Sequence, residues 1–228
     1  RDYVRTFDPG FVDALEDTTI DTDWQDEVFR LAPVMNHEIS ISGGNEKTHI
    51  FSSGGYFDQK GIVLGSRFRK YSGRINVDHK ISDKLNISLK SGNTYSVNDR
   101  IVGDQEIHTV LPNAISKPPI YAVTDDLGNY LEEGFWANPV AIANEVTNEA
   151  LSLRNISSLD ISYNIIPGLT LKNQTGFDFY NLIERRYEPT TVRRGAASNG
   201  ISVDARASVM RFMQTSTLDY KFNLGGDH

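Results

Sequence analysis

Asp125, Asp126, Glu132 and Glu133 crowd one turn-rich stretch, and a pair of carboxylates at fixed separation is the machinery of glycoside hydrolysis. Acids in such a stretch are far more often plain solvated charge, so no catalytic pair is read here. Asp21, Asp23 and Asp26 have the chemistry of a calcium site, yet the glycine and closing glutamate of a calcium-binding loop are missing. Helix capping accounts for Asp23 and Asp26 more simply. His37, His49, His79, His108 and His228 include no pair four apart on a helix, and there is no cysteine to supply a thiolate. The expectation is no catalytic residue, no metal and no cofactor. Tyr130, Phe135 and Trp136 are the candidates for binding, because flat aromatics in an exposed loop can stack on a sugar face or hold a partner. Arg185, Arg186, Arg193 and Arg194 read as a solvated loop, or as partners for lipopolysaccharide phosphates.

The elements that must carry these residues are strands. In residues 71–81, Tyr71, Gly73, Ile75, Val77, His79 and Ile81 alternate with Ser72, Arg74, Asn76, Asp78 and Lys80. After Ser82-Asp83-Lys84, the stretch 85–97 repeats the pattern with Leu85, Ile87 and Leu89 against Asn86, Ser88 and Lys90. Side chains alternate faces along a strand, so one face is apolar and the other charged. Strands of roughly 9–11 residues joined by tight turns are the signature of a transmembrane β-barrel wall. Ile75, Val77, Leu85, Ile87 and Leu89 are then expected to face lipid, and Arg74, Asn76, Asp78 and Lys90 the barrel interior.

The same alternation predicts strands over 36–42, 48–58, 67–81, 85–97, 153–166, 169–181 and 208–222, seven in all. Short turns fall at 43–47, 82–84, 167–168 and 223–228; longer connections fall at 59–66, 98–150 and 182–205. Two short helices break the pattern. Asp23 caps one, from Trp24 to Arg30, with Trp24, Val28 and Leu31 on one face before Pro33. Asn138 followed by Pro139 starts another, over 139–147. A barrel explains the long interruption at 98–150, since extracellular loops are long and periplasmic turns short.

Bulk composition narrows the class. The 228 residues carry a net charge of −7, which excludes a nucleic-acid partner. Mean hydropathy is −0.39, and no run approaches the ~18 apolar residues of a membrane helix. Bacterial single-chain barrels close with an even number of strands from about eight upward, so seven would leave open edges. No signal peptide opens the chain at Arg1-Asp2-Tyr3. The expectation is therefore a barrel fragment that does not fold alone. The alternative is a soluble β-rich binding or adhesion module whose apolar faces pack in a sandwich.

Several segments carry a resemblance. Thr22-Asp23-Trp24-Gln25-Asp26-Glu27-Val28-Phe29-Arg30, with Ala32-Pro33, resembles the TDWQDEIFR-x-AP segment of SusC/RagA-type TonB-dependent transporters. Ser40 to Thr48 is similar to the same family, as is Tyr56-Phe57-Asp58-Gln59-Lys60-Gly61-Ile62, with Lys60 where an acid is usual. Arg69 to His79 resembles its KRYSLRLNLDH stretch; Asn138-Pro139-Val140-Ala141 and Ile166 to Thr170 fit more loosely.

The resemblance implies part of a 22-strand antiparallel outer-membrane barrel, in a Gram-negative cell of the Bacteroidetes type. It implies import of oligosaccharides or peptides, a SusD-type surface lipoprotein as lid, and drive from TonB through parts absent from this chain. Outer-membrane lipid would surround the wall. Residues 1–35 would be an extracellular loop segment with a short helix, and 36–228 a partial barrel wall with its long surface loop at 98–150. The matching motifs are architectural and assign no ligand residue.

Overall fold

A computed structural model describes residues 20–102 and 109–222. The reading of 1–19 as non-strand, His108, His228 and the turn expected at 223–228 lie outside the described residues. Seven strands form one sheet, antiparallel throughout and ordered as in the sequence: β1 Val34–Gly44, β2 Thr48–Lys60, β3 Arg67–Lys80, β4 Leu85–Asp99, β5 Thr147–Ile166, β6 Leu169–Glu188 and β7 Ile201–Tyr220. No described helix is long and apolar enough to cross a membrane.

The short turns are built by side chains that substitute for backbone partners. Asn45 Oδ1 accepts from the backbone N–H groups of Lys47 and Thr48, at 2.9 Å each. Ser82 Oγ accepts from those of Lys84 and Leu85. Gly168 turns β5 into β6 at φ 86°, where an L side chain is strained and a Cβ would meet the Lys221 carbonyl.

Register fixes the faces. Ile50, Val77, Leu89 and Leu159 stand opposite one another across β2–β5, and Leu85, Tyr163, Leu171 and Leu218 do so nearer the short turns. Ile75, Val77, Leu85, Ile87 and Leu89 share one face; Arg74, Asn76, Asp78 and Lys90 share the other, as the alternation requires. From the row Tyr56–Tyr71–Tyr95 down to the short turns, the first face carries no Asp, Glu, Lys or Arg. The second carries Lys70, Arg74, Asp78, Lys90, Arg154, Asp160, Lys172, Asp178 and Arg211 over the same height.

Neither face is covered by a second layer. Of all the strand residues only Asp58, Val97 and Glu188 are buried, while Phe212 is 66% exposed. A sandwich would bury its apolar face; among the described residues nothing lies against this one. The sandwich alternative therefore finds no support in the fold. The hydrophobic core lies elsewhere, under the long connections.

Several boundaries differ from the sequence expectation. β5 starts at Thr147 rather than 153, β6 runs to Glu188 rather than 181, and β7 starts at Ile201 rather than 208. The interruption at 98–150 shrinks to 100–146, and that at 182–205 to 189–200. In the added parts of β5 and β6 adjacent apolar residues, Ala150-Leu151 and Leu182-Ile183, break the alternation. Residues 201–207 keep it, with Ile201, Val203, Ala205 and Ala207 against Ser202, Asp204 and Arg206. Across these stretches Arg185 of β6 pairs with Glu149 of β5 at 3.3 Å and Asp204 of β7 at 3.8 Å. Cross-strand charge replaces apolar pairing there. Helix α1 is Trp24–Val28, two residues shorter than expected; Leu31 falls beyond it and is 95% exposed. Helices α2 (Val110–Ser116) and α4 (Arg193–Ala197) were not expected, and α3 (Pro139–Glu145) was.

Candidate functional site

All the candidate binding residues sit in one cap on the long-connection rim. It is assembled from 20–33, 61–66, 189–200 and the described part of 100–146. Its core packs Trp24 and Val28 of α1, Val63, Val110 and Ala114 of α2, Ala137, and Val140, Ile142 and Ala143 of α3. Each helix is too short to be stable alone, so caps and cross-links hold them.

Asp23 accepts from Gln25 and Asp26 N–H groups and starts α1, which presents Trp24 and Val28 inward one turn apart. The indole N–H of Trp24 donates to the Pro118 carbonyl at 2.9 Å, and Thr22 Oγ1 donates to that of Tyr121 at 2.7 Å. Arg30 donates to the Gly61 and Ser66 carbonyls, which ties the same segment to the β2–β3 connection.

Asn138 is the busiest of these links. Fully buried, it accepts from Val140 and Ala141 to start α3 and donates to the carbonyls of Val123 and Leu131, at 2.7 and 3.1 Å. Lys117 is the second hub. Its buried ammonium donates to the Glu133 and Trp136 carbonyls at 2.8 and 2.9 Å, and lies 5.2 Å from the Trp24 ring and 5.1 Å from the Tyr121 ring. Burial lowers its pKa to about 8, and the negative charge of Glu132 works against that shift. A lysine whose pKa is depressed on folding favours the neutral form, so the cap gains stability as pH rises from about 8 towards the ordinary lysine value. Protease nicking of the 100–146 connection in the whole protein is expected to slow over that range relative to Lys117→Met; equal slopes would leave Lys117 out of the effect.

The structure separates the three candidate aromatics. Tyr130 is half-buried against the cap core, and its hydroxyl accepts from Asn144 Nδ2 at 2.9 Å, so it is a packing residue. Phe135 is 76% exposed and meets Trp136 edge-on, ring centroids 5.3 Å apart. Their backbone is clamped from both sides: Arg193 donates to the carbonyls of Glu132 and Phe135, and Lys117 to that of Trp136. The aromatic pair is thus displayed on a fixed base.

Two sequence readings change. Arg185 and Arg186 lie on β6 rather than in a loop, and Arg193 and Arg194 are tied to Glu132 and Glu188 rather than merely solvated. Two of the four acids, Asp125 and Glu132, are likewise occupied. Asp125 closes a turn by accepting from Leu127 and from Asn129, whose hydrogen bonds hold its carboxyl below the usual range. Glu132 accepts from the Asn138 N–H at 3.0 Å, and burial raises its pKa. Lys117 gave no sequence signal, and Arg193 none for this clamping role, because nothing local marks a basic residue that distant segments will engage. The charged face of the sheet also forms a concavity of about 560 Å3 near the short turns, lined by Lys80, Ser88, Asp160, Lys172 and Gln174 among others.

The fold and its two unlike faces define a class, a stretch of antiparallel β-barrel wall carrying a capped rim. No protein-family model matches the sequence. The chain is 27% identical to TonB-dependent receptor P3 of Formosa agariphila over 214 residues, which is 90% of this chain and 21% of that protein. To TonB-dependent receptor SusC of Bacteroides thetaiotaomicron it is 39% identical over 75 residues, 32% of this chain and 8% of that one. In structure it resembles the RagAB peptide transporter, with TM-score 0.70 and 22% identity over 98% of this chain and 26% of that chain. The closed-closed RagAB peptide importer gives TM-score 0.69 and 24% identity, over 92% and 24%. The chain spans about a fifth of the length of the Formosa relatives it matches most fully. Its sequence relatives are TonB-dependent receptors, SusC among them, and its fold is that of a stretch of the RagAB β-barrel.

Proposed function

We propose that this stretch is wall and rim of an outer-membrane importer for oligosaccharides or peptides. The apolar face meets lipid, the charged face meets the lumen, and the cap faces the cell surface, where a SusD-type lipoprotein lid and the cargo meet the barrel. Energy comes from TonB through parts of the protein outside this chain. No covalent bond is made or broken. The observation that carries the reading is the complete segregation of charge between the two faces. On β4 the uncharged band runs eleven residues, ten steps along the strand, from Tyr95 to Leu85 beside Tyr163. At about 3.3 Å per residue and a tilt of about 40°, that is about 25 Å of height, the thickness of the apolar band of an outer-membrane barrel. Tyrosines at both limits match the interfacial aromatic girdles.

The orientation is tested by a tag. Gly128 is an exposed turn residue at φ 85°, so an epitope inserted beside it in the whole receptor leaves the cap core intact. Antibody is expected to reach it on intact cells. Labelling only after the outer membrane is permeabilised would invert the topology.

Phe135 and Trp136 are the surface that touches cargo or lid in this reading. Loss of an exposed aromatic anchor at a contact typically costs about 1–2 kcal/mol. Phe135→Ala is therefore expected to weaken uptake about tenfold without lowering barrel yield, and Tyr130→Ala to act only through cap stability. Unchanged uptake in the Phe135 variant removes the pair from capture.

A further inference from the structure

We propose that Lys60, Arg67 and Arg69, with the tyrosines beneath them, form a docking site for the phosphate headgroup of an outer-leaflet glycolipid. The proposal rests on the orientation above. The three cations occupy the apolar face just beyond its uncharged band: Lys60 stands opposite Arg67, and Arg69 lies two residues along β3. Immediately below runs Tyr56–Tyr71–Tyr95, with ring centroids 5.1 and 6.3 Å apart. This is the level at which lipid headgroups begin.

Two carboxylates share the patch with three cations. Arg67 holds Asp58 with both prongs of its fork, at 2.8 and 2.6 Å. Arg69 reaches Asp99 through one terminal nitrogen at 3.1 Å, and its Nε is buried with no hydrogen-bond partner. A donor in that position, beside an excess cation, suits a phosphate oxygen, which a guanidinium can bind through two parallel hydrogen bonds. Below the tyrosines, Gly54 and Gly73 stand opposite each other and the space where a Gly73 side chain would project is open. An acyl chain fits that furrow above Ile75 and Val77. Headgroup chemistry and tail chemistry are thus stacked in the order an amphiphile presents them.

The charged cluster on β5–β7 differs. There Glu149 and Asp204 balance Arg185 and Arg206, and the row below is Leu153, Asn181 and Ser208 rather than tyrosines. It serves as the internal control.

The whole receptor, purified in detergent and stripped of lipid, is titrated with lipid A, with dephosphorylated lipid A and with phosphatidylglycerol, and bound lipid is counted by native mass spectrometry. Lipid A is expected to be retained about tenfold more strongly than the dephosphorylated form, the effect of one charge-assisted contact. Lys60→Glu and Arg69→Gln should each remove most of that preference, while Arg206→Gln leaves it unchanged. Equal retention of the two lipid A forms, or an unaltered preference in both patch variants, overturns the site whichever way the barrel lies. Phosphatidylglycerol held as strongly as lipid A overturns the outer-leaflet assignment, and the tag at Gly128 reports separately on orientation.

Discussion

Arginine in place of Val77 is expected to cost the whole receptor about 2–4 kcal/mol of folding stability in a bilayer, the measured range for a cation on the lipid face of a barrel near the midplane. Val77 lies midway down the uncharged band, between Ile50 and Leu89 in register. An arginine there has no carboxylate on its own face within reach, because that face carries none until Asp58 and Asp99 at the upper limit. The neighbouring Asn76 sits on the charged face opposite Lys90 and accepts from Arg74 at 3.2 Å. Asn76→Gln keeps an amide acceptor and adds no like charge opposite Lys90, so it should change stability by less than about 0.5 kcal/mol, as surface substitutions commonly do. Denaturant titration of the two variants folded into lipid vesicles gives the comparison. Equal costs at 76 and 77 would sink the division into lipid and lumen faces, and the barrel with it.

The two residues differ in cost only because alternation assigned them to opposite faces, and alternation was the part of the fold most legible in the sequence. Where one face is apolar and the other charged, a strand announces both its existence and its phase, as 71–81 and 85–97 do. Strand ends were invisible where that contrast faded. Asn148 and Glu149, and Glu184 to Arg186, are polar on both faces, while Val203 and Ala205 give only a weak apolar face against Ser202, Asp204 and Arg206. Only the partner strand reveals that Arg185 lies between Glu149 and Asp204.

The cap was legible in pieces only. Asp23 and Asn138 marked two helix starts, since a capping side chain acts on residues two and three positions away. Pro112 sits in the first turn of α2, where proline is tolerated, and so does not break that helix. Lys117 meets Trp24 across more than ninety residues of chain, and Arg193 meets Phe135 across fifty-eight. No local pattern encodes such pairs. For the same reason Tyr130, Phe135 and Trp136 looked equivalent in sequence, although one faces the core and another faces solvent.

Asn138→Ala is expected to loosen the cap while leaving the wall intact. The substitution removes the acceptor for the Val140 and Ala141 N–H groups, worth about 1–2 kcal/mol as a helix cap. It also strips the Leu131 carbonyl of the amide that donates to it, a loss of about 1 kcal/mol or more, while the Val123 carbonyl keeps the Leu131 N–H at 3.1 Å. No water reaches Asn138, which is fully buried. The sum is about 2.5 kcal/mol, which as a local opening free energy is a loss of roughly sixtyfold in hydrogen-exchange protection in α3 and the 121–138 stretch. Because Asn138 N–H also holds Glu132, and Arg193 holds Glu132 in turn, the base beneath Phe135 and Trp136 should loosen with it. Uptake is then expected to fall while the amides of β2–β6 keep their protection. Asn138→Ser restores a cap acceptor but not the amide donors, so it should recover only the helix-start share, about half of the loss. Protection in α3 unchanged by Asn138→Ala would mean that the cap is held by its apolar core alone.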